Sequence, residues 1–150
     1  MSVQIFIINA TSQPFELFDL DKNHFGLIAN SKSYSLRLNY SENFEKQYNI
    51  FYDDTHYLSF WININGEISQ LETNNSPYTL MINRQVDAFL NKFIDWQHHT
   101  NNWNCHSHFG FSSEIVNKLI ILPKNKSLIK IPFNLAPPVI DQKLRLDFHP

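Results

Sequence analysis

The chain has a single cysteine, no run of lysine and arginine, and no apolar stretch near the roughly 18 residues that a membrane span needs. One thiol cannot close an internal disulfide, so nothing calls for an oxidising compartment and a reducing, cytoplasmic setting is expected. Twelve basic residues against fourteen acidic ones, a net charge of -2, supply no patch able to neutralise a phosphate backbone or an anionic leaflet. Nucleic acid and membrane surfaces are therefore not expected partners. Residues 1–10 lack the positive charge of a signal peptide, and the apolar run at 3–8 lacks its length, so only signal-independent export would take the chain out of the cytoplasm. Internal repeats, low-complexity tracts and linkers are missing as well. The Pro137-Pro138 pair and the loop at 73–77 are local breaks, and residues 1–150 read as one domain. Asn-x-Ser/Thr sequons at Asn9, Asn39, Asn74 and Asn125 are within the reach of chance in a chain this rich in asparagine, and are not read as glycosylation sites.

What the chain does have is apolar and aromatic substance. With 43% hydrophobic and 15% aromatic residues it belongs with folded globules rather than disordered chains. Up to Ile82 the pattern is that of strands, at 3–8, 15–20, 24–29 and 34–40. In the last of these Tyr34, Leu36, Leu38 and Tyr40 alternate with Ser35, Arg37 and Asn39. Asn65-Gly66 has the residues of a type I′ turn and predicts a hairpin between strands at 56–64 and 67–71. Asp53-Asp54 suits a turn between strands, where aspartate side chains bond to nearby backbone. From Asn83, which suits an N-cap, Val86, Phe89, Leu90 and Phe93 fall at three- and four-residue spacing and predict an amphipathic helix. A second helix is predicted from Cys105 towards Leu119, with Phe109, Val116 and Leu119 or Ile120 on one side. Strand patterns return at 128–133 and 143–148. The expected fold class is α+β, an antiparallel β-sheet packed on one or two helices.

The densest chemistry lies at Trp103-Asn104-Cys105-His106-Ser107-His108-Phe109. Three readings compete there. Cys105 is a small buried hydrophobe among loop histidines, as free cysteines often are. Alternatively it joins His98, His99, His106 or His108 around a metal, although no zinc-type pair of pairs is present. Or it is a nucleophile at a helix N-terminus, where the dipole and unpaired N–H groups favour the thiolate and can receive an oxyanion. The third reading is taken forward, with Asn104, Ser107 and His108 as candidate oxyanion- or substrate-binding residues, no metal and no cofactor. His98 and His99 suit a helix C-terminus, and Trp61, Trp96, Trp103 and the phenylalanines are read as core.

The string Asn104-Cys105-His106-Ser107-His108-Phe109, with Glu114, Val116 and Leu119 following, resembles the nucleophile helix of the circularly permuted papain-like cysteine hydrolases. That group includes the NlpC-type, PPPDE isopeptidase and lecithin:retinol acyltransferase-like proteins. The motif is most similar to that of the reversion-to-ethylene-sensitivity membrane proteins. In the permuted enzymes the catalytic histidine precedes the cysteine and opens a strand in a His-x-Gly context, matched here by His24-Phe25-Gly26-Leu27-Ile28 about eighty residues upstream. The resemblance covers about a quarter of the chain. It implies a permuted papain-like core and a thiol hydrolase or acyl-transfer enzyme acting on an amide, isopeptide, ester or thioester bond of a protein, peptide or acylated substrate. Cys105 would be the nucleophile and His24 the base; Asn39, able to accept the imidazole N–H, is the candidate orienting residue, and His56 is the rival base. The alternative is a non-catalytic β-rich binding module with a buried cysteine.

Overall fold

The computed structural model describes residues 2–39, 45–91 and 114–124. These form nine strands and one helix: β1 Ser2–Asn9, β2 Phe15–Asp19, β3 His24–Ile28, β4 Ser33–Asn39, β5 Lys46–Phe51, β6 Tyr57–Ile62, β7 Ile68–Glu72, β8 Tyr78–Ile82, α1 Arg84–Leu90 and β9 Glu114–Pro123. β1 and β9 are near-continuous apolar runs, and such strands need cover on both faces. They lie side by side and parallel, from Ser2 opposite Glu114 to Asn9 opposite Ile121. β4 flanks β1 and β8 flanks β9, both antiparallel, giving a four-stranded mixed sheet in the order β4-β1-β9-β8. The second sheet is antiparallel throughout, in the order β3-β2-β5-β6-β7.

Alternation along each strand decides what lies between the sheets. Val3, Ile5 and Ile7 of β1 and Leu119 and Ile121 of β9 meet Phe15, Leu17, Ile50, Leu58 and Phe60 of the second sheet in one buried cluster. The out-of-phase residues Phe6, Ile8, Ile120 and Leu122 form a second cluster with Val86 and Leu90 of α1. The order of layers is therefore helix, four-stranded sheet, five-stranded sheet. Lys118, only 7% exposed, reaches from β9 to Asp87 of α1 with contacts of 2.9 and 3.1 Å and pins the helix to the sheet.

Several sequence expectations need correction here. The sheet-rich α+β expectation stands in its coarse form, but the described residues make two stacked sheets and one seven-residue helix rather than one sheet on helices, and the parallel β1–β9 pair makes one sheet mixed rather than antiparallel. The predicted helix from Cys105 towards Leu119 ends in disagreement, because residues 114–123 are strand. A strand buried on both faces is apolar at almost every position, so it also satisfies a helical spacing such as Val116, Leu119 and Ile120. Asn83 precedes α1 but makes no side-chain cap; its Oδ1 accepts from the Lys118 amide and its Nδ2 donates to Asn117. The 6–7 hairpin exists with a longer loop than a two-residue turn. The Gly66 amide bonds to the Asn63 carbonyl, and of the loop residues only Gly66 has a left-handed φ, at 81°, whereas type I′ requires two in succession. The strands expected at 128–133 and 143–148 lie outside the described residues.

Asn117 is the polar exception in the centre of β9. At 1% exposure it donates to the Gly66 carbonyl at 2.9 Å, and its Oδ1 accepts from the Ile68 amide and from Asn83 Nδ2, both at 3.3 Å. One side chain thus ties the 6–7 hairpin and the start of α1 to the four-stranded sheet. Asn117→Leu keeps the volume but leaves a buried N–H and C=O unpaired, and should cost about 2–4 kcal/mol. Urea unfolding of the variant measures this, and a loss under about 0.5 kcal/mol would show that the bonds contribute little.

Candidate functional site

No described layer covers the outer face of the five-stranded sheet. Its strands alternate, so residues out of phase with the core point there: Glu16 and Phe18 from β2, Asn49 and Phe51 from β5, Tyr57 and Ser59 from β6, and His24 and Leu27 from β3. Register sets them in rows. Leu27, Glu16, Phe51 and Tyr57 lie side by side, and His24, Phe18, Asn49 and Ser59 form the next row. Phe51 meets Phe18 edge to face at 5.3 Å between ring centres and Tyr57 at 4.8 Å, forming an aromatic floor. Above it opens a concavity of about 640 Å³, within the size range of small-ligand sites.

Two connections wall this hollow. In the β2–β3 turn, Asp19 accepts from the Asn23 amide at 2.9 Å and from its side-chain Nδ2 at 2.8 Å. Burial pushes the Asp19 carboxyl up, but the Asn23 bonds, the Asp21 amide and nearby Lys46 outweigh it and hold the group below the ordinary aspartate value. In the β5–β6 connection, Asp53 accepts from the Thr55 amide at 2.8 Å and the His56 amide at 2.7 Å, which gives the aspartate turn that the sequence suggests. The Thr55 amide leads in holding the Asp53 carboxyl low; desolvation opposes it, and the His56 amide and ring add to the lowering and outweigh that opposition. Both walls therefore keep their negative charge.

Asn49 sits at the floor and is 7% exposed. Its Oδ1 already accepts from Ser59 Oγ at 2.8 Å and from Gln47 Nε2 at 2.9 Å. The amide Nδ2 finds no partner among the described residues, which leaves a donor at the base of the hollow.

Of the residues singled out by sequence, Cys105, Asn104, Ser107 and His108 lie outside the described residues, as does His106. His24 opens β3, as the sequence suggests, with its ring 4.9 Å from that of Phe18 and its Nε2 3.6 Å from a Glu16 carboxylate oxygen. Both side chains are about half exposed, at 48% and 52%. Asn39 ends β4, opposite Ser2 of β1 in the four-stranded sheet, whereas His24 belongs to the five-stranded one. The Gly26 of the His-x-Gly string has a packing reason: a Cβ there would lie 2.5 Å from the Tyr34 ring, whose hydroxyl donates to the Phe25 carbonyl at 2.7 Å. His56 Nδ1 lies 2.8 and 2.9 Å from the two Asp53 oxygens, so that ring is fixed by its own turn. Among the described residues no three His, Cys, Asp or Glu side chains are grouped to hold a metal ion.

Sequence reasoning treated the phenylalanines as core and so missed Phe18 and Phe51, and it gave Tyr57 no role beyond its strand. A signal was present: Phe18 is in phase with Glu16, not with Phe15 and Leu17, and alternation assigns it to the open face. A scan against protein-family models finds no match to this chain, and searches of curated proteins and of solved structures find none either.

The two wall turns respond to acid together. Because the folded carboxyls titrate below the unfolded ones, their stabilising contribution is complete above about pH 4, the ordinary aspartate region, and is lost as pH falls through the lower folded values. Amide resonances of Asn23, Thr55 and His56 followed by NMR should shift with midpoints below that region, and Asp53→Asn should remove the response at Thr55 and His56. Midpoints at or above the ordinary value would contradict the bonding described.

Proposed function

We propose that the protein is a ligand-binding β-sandwich module and that the outer face of the five-stranded sheet is its binding surface. The observation that carries this reading is the aromatic-floored hollow on a sheet face left open by the described layers, with a free amide donor at its base. Leu20 at 61% exposure and Leu27 at 56% add apolar surface at its rim, and Tyr57 of the floor is itself 47% exposed, surface that a bound partner would bury. No helix among the described residues is long and apolar enough to cross a membrane. Small-molecule fragments titrated into labelled protein should move the amides of Phe18, Asn49, Phe51 and Tyr57 together, and Tyr57→Ala, which removes an exposed ring, should weaken those binders several-fold. Shifts scattered over other faces would refute the assignment.

One further observation favours a second reading, a thiol hydrolase or acyl-transfer enzyme. His24 presents a half-exposed imidazole beside the Glu16 carboxylate, a pairing that can orient a general base. In that chemistry the Cys105 thiolate adds to a carbonyl carbon, His24 holds the thiol proton and passes it to the leaving group, and water cleaves the acyl-enzyme. An activated Cys105 should be alkylated by iodoacetamide well below pH 8.5, and His24→Ala should abolish that advantage. Alkylation following an ordinary thiol titration, unchanged in the variant, would dispose of the dyad.

A further inference from the structure

The hollow on the five-stranded sheet is asymmetric in charge. Four carboxylates, from Glu16, Asp19, Asp53 and Asp54, line it against one ammonium, that of Lys22. Asp19 and Asp53 are committed to their turns, yet hydrogen bonding to an ionised carboxylate fixes its charge rather than cancelling it. Glu16 and Asp54 are exposed, and Glu16 stands beside Phe51 in the register of the floor. A low-dielectric recess rimmed by one sign of charge concentrates ions of the other sign. Its floor is aromatic, and ring faces attract cations that carry a loosely held hydration shell more than they attract small, tightly hydrated ones.

Charge and floor together select the ligand. An anion would face four carboxylates, and a neutral apolar molecule would gain from the rings but nothing from the rim. A bare metal ion would find no group of three ligating side chains among the described residues. Building on the binding-module reading, we infer that this face takes a small organic ammonium, its cationic head against Phe18, Phe51 and Tyr57 and within the field of Glu16 and Asp54. Asn49, a residue 7% exposed at the floor whose Oδ1 is engaged by Ser59 and Gln47, can offer its Nδ2 to a ligand that also carries a hydroxyl or carbonyl acceptor. A hollow of about 640 Å³ has room for such a molecule whole.

The test pairs choline with 3,3-dimethylbutan-1-ol, which has the same shape and hydroxyl but no charge, titrating each into labelled protein by NMR. Choline should saturate shifts at Phe18, Asn49, Phe51 and Tyr57 with affinity about tenfold or more above that of the neutral alcohol, and added sodium chloride should weaken it. Glu16→Gln and Asp54→Asn, both at exposed positions, should each weaken choline about two- to fivefold while leaving the alcohol unchanged. Equal binding of the two probes at these residues would overturn the ammonium assignment and leave the binding face standing. No saturable shift with either probe would overturn both. A peptide bearing trimethyllysine that binds tighter than choline would overturn the assignment to a free small molecule.

Discussion

The parallel contact between β1 and β9 is the constraint on which the remaining layers depend. Neither strand has a polar face to give to water: in β1 every residue from Val3 to Asn9 is buried, and in β9 Asn117 through Leu122 are. Two apolar faces require two covers. One is the five-stranded sheet and the other is α1, so the order of layers follows from the double-sided burial of one strand pair. The flanking strand β4 then needs only one apolar face, which its alternating sequence provides, whereas β8 sends Leu80 to the inter-sheet core and Met81 to the helix side.

Polar groups placed inside this arrangement act as fasteners. Asn117 joins the 6–7 hairpin and the entry to α1, while Lys118, its neighbour in sequence, points to the opposite face and holds Asp87. Consecutive residues of a strand address opposite layers, so this pair can hold both covers at once. Buried side chains of this kind cost desolvation and return it only when their bonds are all made. Their value is in specifying which loop and which helix turn meet the sheet.

How much of this was legible in the sequence depends on whether the signal was local. The strand expected from residue 34, described as far as Asn39, the strand opened by His24, the apolar run of β1 and the aspartate turn at Asp53 all follow from short-range rules and are found in the structure. The pairing of β1 with β9 was not legible, since nothing within either segment names a partner more than a hundred residues away. β9 was mistaken for the end of a helix because two-sided burial erases the period that separates strand from helix. The candidate site was hidden for a related reason. Phe18, Phe51 and Tyr57 are unremarkable as residue types and acquire meaning only when register sets them in adjacent rows. The most conspicuous string, around Cys105, drew attention because its chemistry is written in consecutive residues.

The β1–β9 contact also bears on how the chain reaches its fold. The β2–β3, β5–β6 and β6–β7 pairs close across short connections and β2–β5 across about thirty residues, whereas β1 must wait for residues more than a hundred positions later before its second neighbour exists. Closing so long a loop carries an entropic cost that grows only slowly with length, but it must be met before any of the central pair's burial is gained, and topologies dominated by such distant contacts fold slowly. The strand pair that fixes the layers is thus also the contact of longest sequence separation in the described fold, and until it forms the inner face of the five-stranded sheet has no cover.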